Sequence, residues 1–286
     1  MEFRTIVQVQ CPGLQIEPLE RVLFVGSCFA DNMSRRFAQE RFDVTANPFG
    51  TMYNPVSVLH TIERLCSQWD AEGQVPPRVV FITLGTNHVY RLRETGEIVD
   101  NCQKRPQRLF SEESLTVSEC ADSIVQAVDL LQSRSPDVQV VLTVSPIRYA
   151  KYGYHGSQLS KATLLMATDS VVAQHVQSSL DSAATSCGRA AIYYFPAYEI
   201  VMDELRDYRF YAPDMLHLSE QAVDYLWERL VDECFSPRAR QWLDEWRPVR
   251  EALGHRPFNP DSAEYRQFLA KAREREAQLL QRWQRQ

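Results

Sequence analysis

The sequence predicts an α/β fold built on a parallel, doubly wound sheet. Two observations carry this expectation. Four short runs, Val22 to Val25, Val79 to Leu84, Val138 to Val144 and Ala191 to Phe195, are nearly continuous in hydrophobicity, as strands buried on both faces of a parallel sheet are. Segments of helical period separate them, and such alternation places helices on both faces of one sheet.

Taken in order, the first run ends in Gly26-Ser27-Cys28, and Phe29, Ala30, Met33, Phe37 and Ala38 then recur at helical spacing. The second run ends in Gly85-Thr86-Asn87-His88. Ile124, Val125, Val128 and Leu131 mark a helix before the third run, which ends in Ser145-Pro146-Ile147-Arg148. Leu164, Leu165, Val171, Val172, Val176 and Leu180 mark another before the fourth, which ends in Pro196-Ala197-Tyr198-Glu199. Ser219 is the N-cap of a helix with the apolar stripe Ala222, Val223, Leu226, Trp227, Leu230 and Val231. Beyond Pro237, Trp242, Trp246 and further prolines predict an irregular wrap. Ser262 opens a last helix with Tyr265, Phe268, Leu269, Ala272, Leu279, Leu280 and Trp283 on one face and charged residues on the other. With no internal repeat and no low-complexity linker, one domain is expected over 1–236, with a helical C-terminal extension, 237–286, packed on it.

The 44% hydrophobic content suits a globular core, and the net charge of -6, without a long basic run, speaks against nucleic-acid binding. Charged residues sit where a signal peptide would carry its apolar region, and no run is long enough to span a membrane. The seven cysteines include no Cys-x-x-Cys pair. Reduced thiols in a soluble, cytoplasmic protein are therefore expected. The oligomeric state is not encoded in any motif.

In such sheets ligands bind beyond the carboxyl ends of the strands. Gly26-Ser27-Cys28 puts two nucleophile-capable side chains at the start of a helix, where the dipole favours an anionic nucleophile or oxyanion. The plainer reading makes Ser27 a helix cap and Cys28 a small buried hydrophobe, and these residues alone favour it. Asn87, at a strand end, has an amide that can donate to an oxyanion or simply sit in a turn. His88 reads better as a surface residue. Asp214 and His217 are spaced so that the carboxylate orients the imidazole if the loop turns back. A metal site is the poorer reading, since no further ligands stand at zinc-like spacing. The aromatic, charge-alternating stretch from Tyr193 to Tyr211 is either a lid over a pocket or a loop held by ion pairs.

These motifs resemble the GSCFA domain family, whose members are similar to SGNH/GDSL-type hydrolases. Gly26-Ser27-Cys28-Phe29-Ala30 carries the likeness, with Asn47-Pro48-Phe49-Gly50, Tyr53-Asn54-Pro55, Thr83-Leu84-Gly85-Thr86, Thr143-Val144-Ser145-Pro146, Ser160-Lys161-Ala162 and the Tyr194 to Asp224 segment. The resemblance covers roughly residues 5 to 235. It implies a three-layer α/β/α, flavodoxin-like fold and hydrolysis of a small acyl ester, on a carbohydrate or similar polar substrate, without metal or organic cofactor. It also implies Asn87 and Gly50 as oxyanion donors, His217 as the base and Asp214 as its partner. For the nucleophile, the register of the GDSL pattern points to Cys28, while the usual serine chemistry of the superfamily points to Ser27, which is slightly preferred. An acyltransferase on the same scaffold and a non-catalytic binding module are the alternatives.

Overall fold

A computed structural model describes residues 4–181 and 191–284. Strand β1 (Arg21–Gly26) leads through helix α1 (Cys28–Gln39) to β2 (Asp43–Ala46), and α2 (Pro55–Glu72) crosses to β3 (Val79–Leu84). Three strands, β4 (His88–Leu92), β5 (Ile98–Val99) and β6 (Phe110–Ser114), follow as an antiparallel excursion. Then come α3 (Val117–Gln132), β7 (Gln139–Val144), α4 (Gly153–Asp181), β8 (Ala191–Tyr194) and the single turn α5 (Ala197–Glu199). Helices α6 (Glu220–Cys234), α7 (Pro237–Gly254) and α8 (Ala263–Gln284) complete the chain.

The expected α/β class is observed. The main sheet has five parallel strands in the order β2-β1-β3-β7-β8. Alternate side chains of each strand enter opposite cores, as strand geometry requires. Val22 and Phe24 join α1, α6, α7 and α8 on one face. Leu23 and Val25 join α2, α3 and α4 on the other. The chain reverses its winding between β1 and β3, and the crevice between their carboxyl ends is where such sheets bind ligands.

All four apolar runs are strands. The short β2, with half-exposed residues, and the antiparallel excursion are additions that continuous hydrophobicity does not reveal. The irregular wrap is corrected. Ser236 caps α7, Pro237 takes its first position, and the helix continues through Pro248, which leaves the carbonyl four residues back without its backbone donor. Trp242 and Trp246 explain why the helix holds. Their indole nitrogens donate to Glu40 O and Gln39 O at the end of α1, each at 2.8 Å, and their rings stack 5.7 Å apart. Trp242→Ala is expected to cost about 3–5 kcal/mol, read as a lower urea midpoint at unchanged slope.

A polar tie joins α2 to the residue after β5. His60 Nδ1 lies 2.8 Å from Asp100 Oδ1, and Arg64 donates to Asp100 Oδ2 at 2.7 Å. The hydrogen bond to Asp100 raises the pKa of His60 against the opposing effect of burial. The folded value lies above the unfolded one, so this contribution to stability is complete below about pH 6.5 and fades as pH rises through the folded value. An NMR titration should show the His60 pKa falling in Asp100→Asn. The stability gap between the two proteins should narrow above neutrality.

Candidate functional site

Glycine is required at the end of β1. Gly26 has φ +137°, and a Cβ there would lie 2.0 Å from Thr83 O on β3. This close approach lets Ser27 N–H reach both Thr83 O and Thr83 Oγ1 at 2.9 Å. The Ser27 hydroxyl lies 3.0 Å from Thr83 Oγ1 and accepts weakly from Phe29 N–H at 3.3 Å. Ser27 is thus the N-cap of α1 and only 1% exposed. Cys28 is the first residue of α1, half-buried, with Sγ 3.5 Å from Tyr53 Oη. Its N–H belongs to the first turn, where helical N–H groups have no intrahelical acceptor.

Asn47, just past β2, holds this turn in place. Its Oδ1 accepts from Gly26 N–H at 2.9 Å, and its Nδ2 donates to Asp31 of α1 at 2.7 Å. Tyr53 closes the opposite side. Its carbonyl accepts from both Gly85 and Thr86 N–H at 2.8 Å. Burial, with Cys28 and Asp31 adding to it, pushes the Tyr53 hydroxyl well above the usual tyrosine range. Tyr149 packs edge-on against Tyr53 and parallel to Tyr152, whose ring lies on His88 at 3.7 Å. His88 is therefore a half-buried part of an aromatic wall, and burial lowers its pKa.

Of the two oxyanion donors suggested by the resemblance, Gly50 spends its N–H in a turn and Asn87 commits one of its two amide N–H groups. Gly50 N–H closes a turn onto Asn47 O at 2.8 Å. Asn87 Nδ2 donates to Leu115 O at 2.7 Å, and Leu115 N–H returns a bond to Asn87 O at 2.9 Å. Asn87 thereby clasps the base of the antiparallel excursion, where the chain leaves and rejoins the main fold. Its Oδ1 is buried without a partner among the described residues.

Asp214 and His217 meet as their spacing anticipates. Asp214 Oδ1 accepts from Leu216 and His217 N–H at 2.9 Å, and Oδ2 lies 2.6 Å from His217 Nδ1. These bonds hold the Asp214 pKa down at about 2. The turn places Met215 at φ +58°, a conformation that costs energy in a residue other than glycine. His217 is half-exposed, and its Nε2 has no hydrogen-bond partner among the described residues. The loop docks on the segment after β7: Arg148 N–H donates to Leu216 O at 3.0 Å and its Nη1 to Met215 O at 2.9 Å. His217 is thereby tied through Arg148 and Tyr149 to the Tyr53 wall beside Cys28. Among the described residues no hydrogen bond joins Cys28 to His217 directly.

A cavity of about 240 Å³ lies next to this loop, between Arg148, the start of α4 and the segment after β8. Neither Cys28 nor His217 lines it. The Tyr193 to Tyr211 stretch supplies one wall of it and carries ion pairs as well, Arg206 with Asp203 and Arg209 with Asp207. Tyr194 Oη donates to Glu199 at 2.9 Å, and buried Glu204 accepts from Val7 N–H at 3.0 Å. Lys161 of α4 reaches from this wall to the strand ends, its Nζ donating to Gly85 O at 2.6 Å and Ser145 O at 2.7 Å. Burial lowers its pKa to about 7. Tyr53 and Lys161 lie in motifs that carried the resemblance, but nothing in their spacing assigned them a role.

The five-stranded parallel sheet, covered by helices on both faces, places the protein in the three-layer α/β class. The chain belongs to the GSCFA family: the model of the GSCFA family matches residues 21–76 and 75–230, and that of the GSCFA domain protein, C-terminal domain, matches 246–285. No curated protein matches it in sequence. Among solved structures it is similar to an acetyl esterase mutant with acetate ion, at 8% identity and TM-score 0.44, covering 80% of this chain and 99% of that one. It is similar also to a carbohydrate esterase family 3 protein from Talaromyces cellulolyticus, at 9% identity and TM-score 0.42, covering 74% and 94%. A member of the lipolytic protein G-D-S-L family from Veillonella parvula matches at 13% identity and TM-score 0.45, covering 74% and 96%. Among the described residues no helix is long and apolar enough to cross a membrane.

Proposed function

We propose that the chain is an ester hydrolase in which Cys28 is the nucleophile, His217 the base and Asp214 its orienting partner. The Asp214–His217 pair carries this reading. A carboxylate already fixed by two backbone N–H groups holds the imidazole at 2.6 Å, leaving Nε2 free to move a proton. In the proposed reaction Nε2 takes the proton from Cys28 Sγ, and the thiolate attacks the acyl carbon. The oxyanion collects at the Cys28 N–H at the head of α1, since Phe29 and Ala30 N–H already donate to Ser27. Collapse expels the alcohol, which takes the proton from the imidazolium and leaves a thioester. Water, deprotonated by the same nitrogen, attacks the thioester; the acyl C–S bond breaks, the acid leaves, and the thiolate takes the proton back from the imidazolium. Catalytic hydrogen bonds often tighten only with substrate bound, so loop 211–218 has to close toward Cys28 during turnover.

This reading departs from the slight preference for Ser27, whose buried hydroxyl is engaged with Thr83 and the cap of α1. It also leaves Gly50, whose N–H closes a turn onto Asn47 O, out of the oxyanion site. The substrate we infer is a small acyl ester of a polar alcohol such as a sugar, since the neighbouring cavity is walled by tyrosines and polar groups. If that alcohol rather than water takes the thioester, the same residues perform acyl transfer. A cytoplasmic location belongs to the same reading, because the cysteines among the described residues are free thiols.

The test is hydrolysis of a short-chain aryl acetate by wild type, Asp214→Asn and His217→Ala. His217→Ala is expected to lose about a thousandfold or more in kcat, and Asp214→Asn a comparable factor through the wrong imidazole tautomer. A folded His217→Ala protein as active as wild type would rule the scheme out.

A further inference from the structure

The cavity beside the His217 loop has an unusual lining. Arg148 holds its guanidinium over the Tyr154 ring at 4.3 Å, with the Tyr211 and Tyr208 rings at 5.4 and 5.9 Å. Its Nη1 is taken by Met215 O, and no carboxylate among the described residues pairs with it. With rings against the guanidinium and one nitrogen spent, the Nε–Nη2 edge is left, the fork that grips a carboxylate with two parallel bonds. Lys161, a second basic residue of the wall, has two backbone carbonyls as acceptors and likewise no carboxylate. An anion beside it would favour its charged form. Asp207 also lines the space, but Arg209 occupies its carboxylate. Arg206, also in the wall, is paired with Asp203. The volume, about 240 Å³, is below the roughly 300–1,000 Å³ of drug-sized ligand sites, so the space suits one ring. Tyr154 and Tyr208 are well exposed beside it, and Gln158 and Ser157 supply polar groups suited to hydroxyls.

Resting on the hydrolase reading, we propose that this cavity binds a carboxylate-bearing sugar ring, a uronate, as the alcohol half of the ester, with Arg148 gripping the carboxylate. The uronate would then lie against the residue whose N–H and Nη1 hold the His217 loop.

Equilibrium titration of the full chain with methyl glucuronoside, methyl glucoside and glucose 6-phosphate tests this. The glucuronoside is expected to bind about tenfold or more tighter than the glucoside, the worth of a charge-assisted pair. Arg148→Gln should abolish that preference. Tyr208→Ala should weaken both glycosides alike and leave the preference intact. Equal affinity of wild type for the two glycosides, tighter binding of the 6-phosphate, or an unchanged preference in Arg148→Gln would each overturn the proposal. The wild-type comparison decides even if Arg148→Gln fails to fold. Binding is read without turnover. An inactive protein that prefers the uronate therefore sinks the hydrolase reading alone, and an active esterase indifferent to charge sinks this one alone.

Discussion

Cys28→Ala is expected to lower the hydrolysis of a short-chain aryl acetate by about a thousandfold or more, while the protein stays folded. The fold should tolerate the change. Cys28 is half-exposed at the first position of α1, packs only partly against the core, and has its side-chain hydrogen bond with Tyr53 Oη at 3.5 Å. Alanine is the best helix former and removes only a thiol. Ser27→Ala should behave in the opposite way. It deletes a cap and a buried hydroxyl pair, costing about 1 kcal/mol of stability, yet keeps most of the activity at temperatures where the protein is folded. Iodoacetamide supplies an independent check: alkylation of wild type at Cys28, mapped by mass spectrometry, should inactivate it in step with labelling. A dead Ser27→Ala beside an active Cys28→Ala would reverse the assignment.

The second large effect is on folding. Gly26→Ala should prevent the native state from forming, a loss above about 4 kcal/mol. The new Cβ would stand 2.0 Å from Thr83 O and 2.7 Å from Thr83 Oγ1, and φ +137° is closed to L side chains. Neither strand can yield, because β1 lies between β2 and β3 in the sheet. Gly50→Ala is the control. Its φ is also positive, at +97°, but nothing lies within 4 Å of the added carbon, so only the backbone cost remains, about 1–3 kcal/mol. Far-UV circular dichroism and a urea curve separate the two. A Gly26→Ala protein of wild-type stability would refute the packing account of this turn.

Much of this was legible in the residues. Four of the five strands of the main sheet announce themselves because burial on both faces leaves little room for polar alternation. Asp214 and His217 were legible because a three-residue spacing is enough to close a ring through the backbone. β2 and the antiparallel strands were not, since short, half-exposed segments carry no strong period. Pro248 misled, because the energy that carries α7 through it lies in two tryptophans reaching carbonyls some two hundred positions earlier. The choice between Ser27 and Cys28 was open for a different reason: capping and nucleophilic roles favour the same small polar residues at a helix start. The bonds of Ser27 to Thr83, which Cys28 does not share, depend on a strand that is distant in the sequence. Asn87 shows the same limit, since an amide aimed at a ligand and one aimed at Leu115 are identical in one dimension.

The tryptophans of α7 bear on the order in which the chain matures. A ribosome delivers α1 long before α7, and domains fold as their parts emerge. Until α7 arrives, Gln39 O and Glu40 O at the tail of α1 lack the indole donors that satisfy them in the finished protein, and the aromatic layer around Phe37 lies open on one side. The helix that presents Cys28 at its head is thus sealed at its tail by one of the last segments to be synthesised. In a nascent chain that support stays unfinished until the last segments arrive, so the first helix of the fold reaches its final setting only when the chain is nearly complete.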